Sequence, residues 1–201
     1  QTVNDEVLKT IGRKHTAQQF FDAFELARKC GFDNINTDLI AGLPTDTPES
    51  FKNSLDSIVR LNAECITVHT LCMKRASRLT TEGVTLDLQQ ARDAREMLAY
   101  TQNILGQNEY IPYYMYRQSR MVGNLENVGW SKKGFESLYN VYVMDETHTI
   151  LACGSGGVTK LKRNNPDYLE RIFNFKYPYE YIDRFDELIQ RKSGIMQFYG
   201  Q

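Results

Sequence analysis

Apolar positions in the opening part of the chain fall three and four residues apart and then switch to alternation, the change of period that marks helices giving way to a strand. Asn4, followed by Asp5 and Glu6, can cap a short helix with Val7, Leu8 and Ile11 on one face and Gly12 as its stop. Thr16 and Gln19 have capping-box spacing, and the helix they open turns Phe20, Phe21, Phe24 and Ala27 inward before Cys30 and Gly31 end it. Residues 34–43 (NINTDLIAGL) alternate, with Ile35, Thr37 and Leu39 on one side and Asn36, Asp38 and Ile40 on the other. One face of this strand is therefore mixed polar and carries an acid. Thr47, with Pro48 at the first helical position, starts a helix whose Phe51, Leu55, Ile58 and Val59 point inward. A second strand is expected at 65–72 (CITVHTLC), then a lead-in at 81–87 and a helix of about 18 residues with Leu88, Ala91, Leu98 and Leu105 in phase and Gly106 as its stop. A third strand comes next at 110–116 (YIPYYMY). Strands alternating with helices imply parallel strands joined by right-handed crossovers, in an open sheet or, the favoured reading, a (β/α) barrel.

Beyond residue 117 the grammar changes. Residues 117–138 show neither period and are read as a functional loop. Residues 139–144 and 149–153 predict a β-hairpin that runs into Gly154, Gly156 and Gly157. Asn165-Pro166 and Pro178 are expected to start two helices, the second burying Ile182, Phe185 and Leu188. The fold class implied is α/β, a partial (β/α) barrel over 1–116 with an α+β extension of loop, hairpin and two helices over 117–201.

Composition changes this picture little. The 201 residues are 41% hydrophobic and 24% charged, values of a globular chain that can bury a core. A formal charge of −1 provides no global field for nucleic acid or an anionic membrane. No apolar run reaches the ~18 residues of a membrane span. The start at Gln1, already at the edge of a helix signal, reads as a cut inside a longer protein. Four cysteines and no Asn-x-Ser/Thr site point to a reducing, cytoplasmic setting.

The candidate chemistry is sparse. Cys65 and Cys72 fall on opposite sides of one strand, about 23 Å apart at ~3.3 Å per residue, and Cys30 and Cys153 stand alone, so no spacing holds zinc or an iron–sulfur cluster. His69 lies near the C-terminal end of a strand, where α/β folds place their chemistry, and serves equally as a pocket-wall residue. Asp38 inside a parallel strand needs a partner, either a ribose diol or a neighbouring base. Gly154 to Gly157 lack the Lys-Ser/Thr of a phosphate loop, so a sheet corner is expected there. Lys160, Lys162 and Arg163 read as a solvated edge, and one of Tyr110, Tyr113, Tyr114 and Tyr116 could flank a flat ligand.

Residues 1–13 (QTVNDEVLKTIGR) and 36–44 (NTDLIAGLP) resemble radical S-adenosylmethionine enzymes of the oxygen-independent coproporphyrinogen III oxidase type. The family pattern runs Gly-Val-Gln, then Asn-x-x-Val-Leu with a nearby Arg or His, then Asn-x-Asp-Leu-Ile-x-Gly-Leu-Pro-x-Gln-Thr. Thr45-Asp46-Thr47 departs mildly from its end. Later segments (YRQ at 116–118, GNLENVGW at 123–130 and LACGSG at 151–156) are similar to the coproporphyrinogen dehydrogenase-like branch. The resemblance implies a three-quarter barrel with S-adenosylmethionine and a four-iron cluster at the strand C-terminal ends, the cluster's triple-cysteine loop being absent from this chain. By position it implies that Gln1 and Arg13 contact the methionine or ribose part of the cofactor, Asp38 the ribose and Ile40 the adenine, with Cys72 near a second cofactor molecule. No catalytic residue and no metal ligand is assigned. The implied reaction uses a 5′-deoxyadenosyl radical to take hydrogen from a propionate of a porphyrinogen, leaving carbon dioxide and a vinyl, with flavodoxin or ferredoxin as electron donor. A haem or porphyrin carrier on the same barrel is the alternative, and a remnant without a ligand is the third. The chain alone is expected to be inactive, and its first strand to present an adhesive edge unless the N-terminal helix covers it.

Overall fold

The computed structural model describes residues 1–72, 88–117, 122–163 and 167–200. These form two compact units, Gln1–Ser137 and Leu138–Gln201. In the first, helix α1 (Asp5–Thr10) is capped by the Asn4 side chain, which accepts from the Glu6 and Val7 amides. Helix α2 (Ala17–Lys29) carries both halves of the Thr16/Gln19 capping box. Gly31 beyond it adopts φ +91°, the left-handed geometry that favours glycine after a helix end. Strand β1 (Asn36–Ala41) leads through a turn to helix α3 (Pro48–Arg60), where the Thr47 side chain accepts from the Ser50 amide. Strand β2 (Cys65–Thr70), helix α4 (Leu88–Gln107) and strand β3 (Tyr110–Tyr116) come after it. The lead-in expected at 81–87 lies outside the described residues. Both β1 and β2 are shorter than the alternating segments suggested.

The segment read as a functional loop contains a strand. Residues 127–132 form β4 (Asn127–Lys132), which inserts between β2 and β3 to give the sheet order β1-β2-β4-β3. β1 and β2 are parallel, and β4 runs antiparallel to both β2 and β3, so β3 keeps the direction of β2 with β4 between them. The reason is pairing. Gly129 sits mid-strand, and a Cβ there would lie 1.9 Å from Cε1 of Tyr114, so the glycine lets the tyrosine ring lie flat across β4.

The two sheet faces differ as the alternation required. Leu39 and Ala41 of β1, Ile66 and Val68 of β2 and Trp130 of β4 pack with Phe51, Leu55 and Ile58 of α3 and Met97 and Leu105 of α4. Burying side chains of this size contributes about 1.5–3 kcal/mol each. A smaller cluster of Val7, Leu43, Leu71, Ala94 and Val122 includes the buried side of α1. The opposite sheet face carries Asn36, Asp38, Thr67 and His69, and it is where the predicted site residues gather.

In the second unit the hairpin expected at 139–153 is absent. Residues 138–145 form helix α5 (Leu138–Asp145), and of 149–153 only Ile150 makes a bridge, to Lys160. The β-prone run YNVYV follows its helical neighbours because strand propensity expresses a fit to a half-buried sheet surface, and the sheet position is taken by another segment. That segment is β5 (Val158–Arg163), paired antiparallel with β6 (Tyr168–Phe173). The helix start at Asn165-Pro166 falls outside the described residues, and the chain from Tyr168 to Phe173 is strand, not helix. Helices α6 (Pro178–Asp183), α7 (Phe185–Lys192) and α8 (Gly194–Tyr199) complete the unit. Leu188 is buried as expected, but Ile182 and Phe185 are 71% and 49% exposed. Gly154 to Gly157 form a corner: the Gly156 amide donates to Phe175 O and the Gly157 amide to Gly154 O, so neither is open to a phosphate. The basic run is paired, Lys160 with Glu146 and Lys162 with Asp167.

Candidate functional site

Because β1 and β2 are in parallel register, Asp38 stands beside Thr67 and Ile40 beside His69 on one face. The Asn36 amide donates to Asp38 Oδ1 at 2.7 Å, and the Thr67 hydroxyl donates to Asn36 Oδ1 at 3.0 Å. With its hydrogen committed there, Thr67 accepts from the Tyr114 hydroxyl at 3.2 Å. On the other side, His69 Nε2 lies 3.7 Å from Asp38 Oδ2, and the Tyr116 hydroxyl lies 3.4 Å from His69 Nδ1. Two polar arms from β2 and β3 thus converge on the two oxygens of one carboxylate. Tyr114 and Tyr116 stack nearly parallel, 6.4 Å apart.

The electrostatics favour an ionised Asp38. The adjacent His69 imidazole holds its carboxyl below the usual range; burial opposes this, and Asn36 adds to it. The Asp38 side chain nevertheless stays 51% exposed, with room to accept further donors. Burial pushes the Tyr114 and Tyr116 hydroxyls up, so both remain protonated donors at neutral pH.

The structure brings the five predicted residues to one end of this face. The Gln1 carbonyl accepts from the Ile40 amide at 3.0 Å, which ties the first residue to β1. The Arg13 guanidinium and the Asp38 carboxylate both act electrostatically on the start of the chain, so the three share one neighbourhood. Gln1 Oε1 is buried without a partner. Arg13 is exposed just after α1, and Ile40 is half-buried. Cys72 lies past the end of β2, on the side of Tyr116. Open cavities of about 330 and 610 Å³ share Gln102, Glu126, Val128 and Trp130 in their lining, and Tyr114 borders the second. Sequence reasoning missed Asn36 as a partner of Asp38 and Thr67 and Tyr116 as the residues behind Asn36 and His69, and it missed Gly129. The polar-apolar alternation in NVGWS was the available signal for β4.

The sequence profile of the Radical SAM superfamily matches residues 1–58. The oxygen-independent coproporphyrinogen-III oxidase-like protein HemZ of Bacillus subtilis is 37% identical over 197 residues, 98% of this chain and 39% of its own length. The chain belongs to the radical SAM superfamily, in its coproporphyrinogen III oxidase-like group. The heme chaperone HemW of Lactococcus lactis is 32% identical over 82% of the chain and 41% of its own length. Among solved structures, the radical SAM enzyme coproporphyrinogen III oxidase HemN of Escherichia coli matches with a TM-score of 0.65 at 20% identity, over 93% of this chain and 42% of that one. The chain thus spans about two fifths of the length of these relatives, and it carries the radical SAM fold. Radical SAM proteins as a group use S-adenosylmethionine and a four-iron cluster. The residues at the end of β1 suit the first: a half-exposed carboxylate for a diol, an exposed guanidinium for a carboxylate, and the unpaired Gln1 acceptor for an ammonium. They do not suit the second. Among the described residues no group of three His, Cys, Asp or Glu side chains could hold a metal.

Proposed function

We propose that the protein to which this chain belongs is a radical SAM oxidoreductase that decarboxylates propionate side chains of coproporphyrinogen III to vinyls in the cytoplasm, drawing electrons from a flavodoxin- or ferredoxin-like donor. The observation that carries the reading is the convergence of Gln1, Arg13, Asp38, Ile40 and Cys72 at one end of a polar sheet face. Asp38 would take the ribose hydroxyls, Arg13 the carboxylate, Gln1 the methionine end and Ile40 the adenine, while Cys72 would border a second cofactor molecule. S-adenosylmethionine, when bound beside a reduced cluster, supplies a carbon radical able to remove a hydrogen atom. This chain's own part is to fix the ribose and to wall the site. Asn36 and His69 keep Asp38 ionised and oriented, and the Tyr114 and Tyr116 rings form an apolar flank that limits water.

The test is cofactor affinity in the full-length, anaerobically reconstituted protein. Asp38→Ala is expected to weaken S-adenosylmethionine binding by about 1–3 kcal/mol, and Asp38→Asn by less, since it keeps one acceptor. Unchanged affinity by calorimetry would assign the acid a structural role. The similarity to a heme chaperone over most of the chain supports a second reading, a haem carrier on the same barrel. Product analysis separates the two. Vinyl products from coproporphyrinogen III mark the enzyme, and stoichiometric haem capture without turnover marks the carrier.

A further inference from the structure

Asp38 is held from two sides, and the two arms are unequal. The Asn36 arm is closed, with 2.7 and 3.0 Å hydrogen bonds running back to Thr67. The His69 arm is open: 3.7 Å from Nε2 to Asp38 Oδ2 is longer than a settled hydrogen bond, although the two groups face each other. Bonds of this kind are often long before the ligand arrives and close when it does.

The proton positions in that arm are set by its partners. The Tyr116 hydroxyl can donate, Asp38 can only accept, and the imidazole stands between them with Nδ1 toward the tyrosine and Nε2 toward the acid. With the imidazole neutral, all three are satisfied when Tyr116 O–H donates to Nδ1 and Nε2–H points at Oδ2. Among the described residues, Tyr114, stacked on Tyr116 from β3, and Cys72, beyond the end of β2, are the further titratable groups on the Tyr116 side. The aromatic edge contact between His69 and Tyr116, with centroids 6.5 Å apart at 69°, holds the ring in that plane.

We infer that His69 is a positioning residue, oriented by Tyr116, that closes on Asp38 Oδ2 and fixes the carboxylate for a vicinal diol. The inference rests on the reading of Asp38 as the ribose ligand. It adds a residue pair that acts on the ligand only through that acid, so its energetic signature is coupling.

The experiment is a double-mutant cycle on S-adenosylmethionine affinity, measured by calorimetry in the full-length protein with its cluster oxidised. Asp38→Ala is expected to weaken binding about tenfold or more, and His69→Phe about threefold to tenfold. The double variant should bind no more weakly than Asp38→Ala alone, and His69→Gln, whose side-chain amide can replace the Nε2 donor, should recover most of the loss. Should His69→Phe fail to fold, Tyr116→Phe takes its place in the cycle, because it removes only the hydroxyl that orients the ring. A second readout needs no cofactor: the nitrogen spectrum of His69 in this chain should show the Nε2–H tautomer in the wild type and a mixture in Tyr116→Phe. Additive losses in the cycle, wild-type affinity in His69→Phe, or an Nδ1–H tautomer would overturn the inference. If Asp38→Ala itself binds normally, the ribose reading fails and the role of His69 falls with it, a result distinct from additivity.

Discussion

Asp38 and Ile40 were placed on one strand face by alternation alone, because a strand's period fixes which residues share a side. The partners that give Asp38 its character were beyond that reach, since Tyr116 and His69 are 47 positions apart and meet only through the sheet. A second residue illustrates the same limit. Glu64, just before β2, is buried and takes the Arg28 guanidinium at 2.7 and 2.8 Å, while accepting the Ile35 amide at 3.0 Å. It ties the end of α2 to the entries of β1 and β2. Burial alone would raise its pKa, but the Ile35 amide and Arg28 outweigh it and the carboxyl sits below its usual value. A depressed carboxyl contributes stability that is complete above the unfolded value near 4.5 and is lost as pH falls through the lower folded value. Glu64→Gln is therefore expected to destabilise the chain by about 1–3 kcal/mol at neutral pH, less than a fully buried pair because Arg28 is partly exposed. The wild type should lose the same increment on acidification below 4.5 while the variant does not. Urea unfolding at both pH values measures this; equal acid sensitivity of the two proteins would contradict it.

At the level of elements, the helices whose caps are local were readable from the sequence. Asn4, Thr16 and Thr47 each cap the helix that their spacing announced, since a cap satisfies amides only two or three residues away. Strands are another matter, because a strand is defined by a neighbour the local sequence does not name. For that reason β4 carried only the short alternation NVGWS, and β5 and β6 were hidden, while 138–145 carried a strand-like composition into a helix. Gly129 makes the dependence measurable. Any side chain there meets the ring of Tyr114, whose hydroxyl bonds Thr67 in the arm that reaches Asp38. Gly129→Ala is expected to cost about 1–3 kcal/mol through this overpacking. It should also shift the emission of Trp130, the single tryptophan of the chain and the next residue in β4. A variant with wild-type stability and emission would mean that Tyr114 does not lie across the strand.

For the whole molecule, the dominant fact is that about two fifths of the matched relatives' length is present here. The four cysteines are thiols without a disulfide, and Cys65 is enclosed by Asn34, Ser131 and the Phe135 carbonyl. Anaerobic reconstitution of this chain with iron and sulfide is accordingly expected to yield no stoichiometric cluster and no cleavage of S-adenosylmethionine; absorbance and metal analysis decide it. The sheet raises a second question, because β1 is its terminal strand and pairs only with β2 among the described strands. Alternate amides of a parallel strand face opposite neighbours. The Ile40 amide reaches out to the Gln1 carbonyl, so the amides of Asp38 and Asn36, two and four residues back, face the same outer side. Among the described residues the chain start thus covers the C-terminal end of the edge and leaves the N-terminal end open. An open parallel edge is adhesive, and the acid and amide side chains on the strand reduce that tendency without removing it. Light scattering on the isolated chain is expected to show weak self-association. Hydrogen exchange should find the Thr37, Leu39 and Ala41 amides protected at every concentration, and those of Asn36 and Asp38 protected only as concentration rises. Rapid exchange at Asn36 and Asp38 that does not vary with concentration, in a chain that stays monomeric, would show that the edge does not pair.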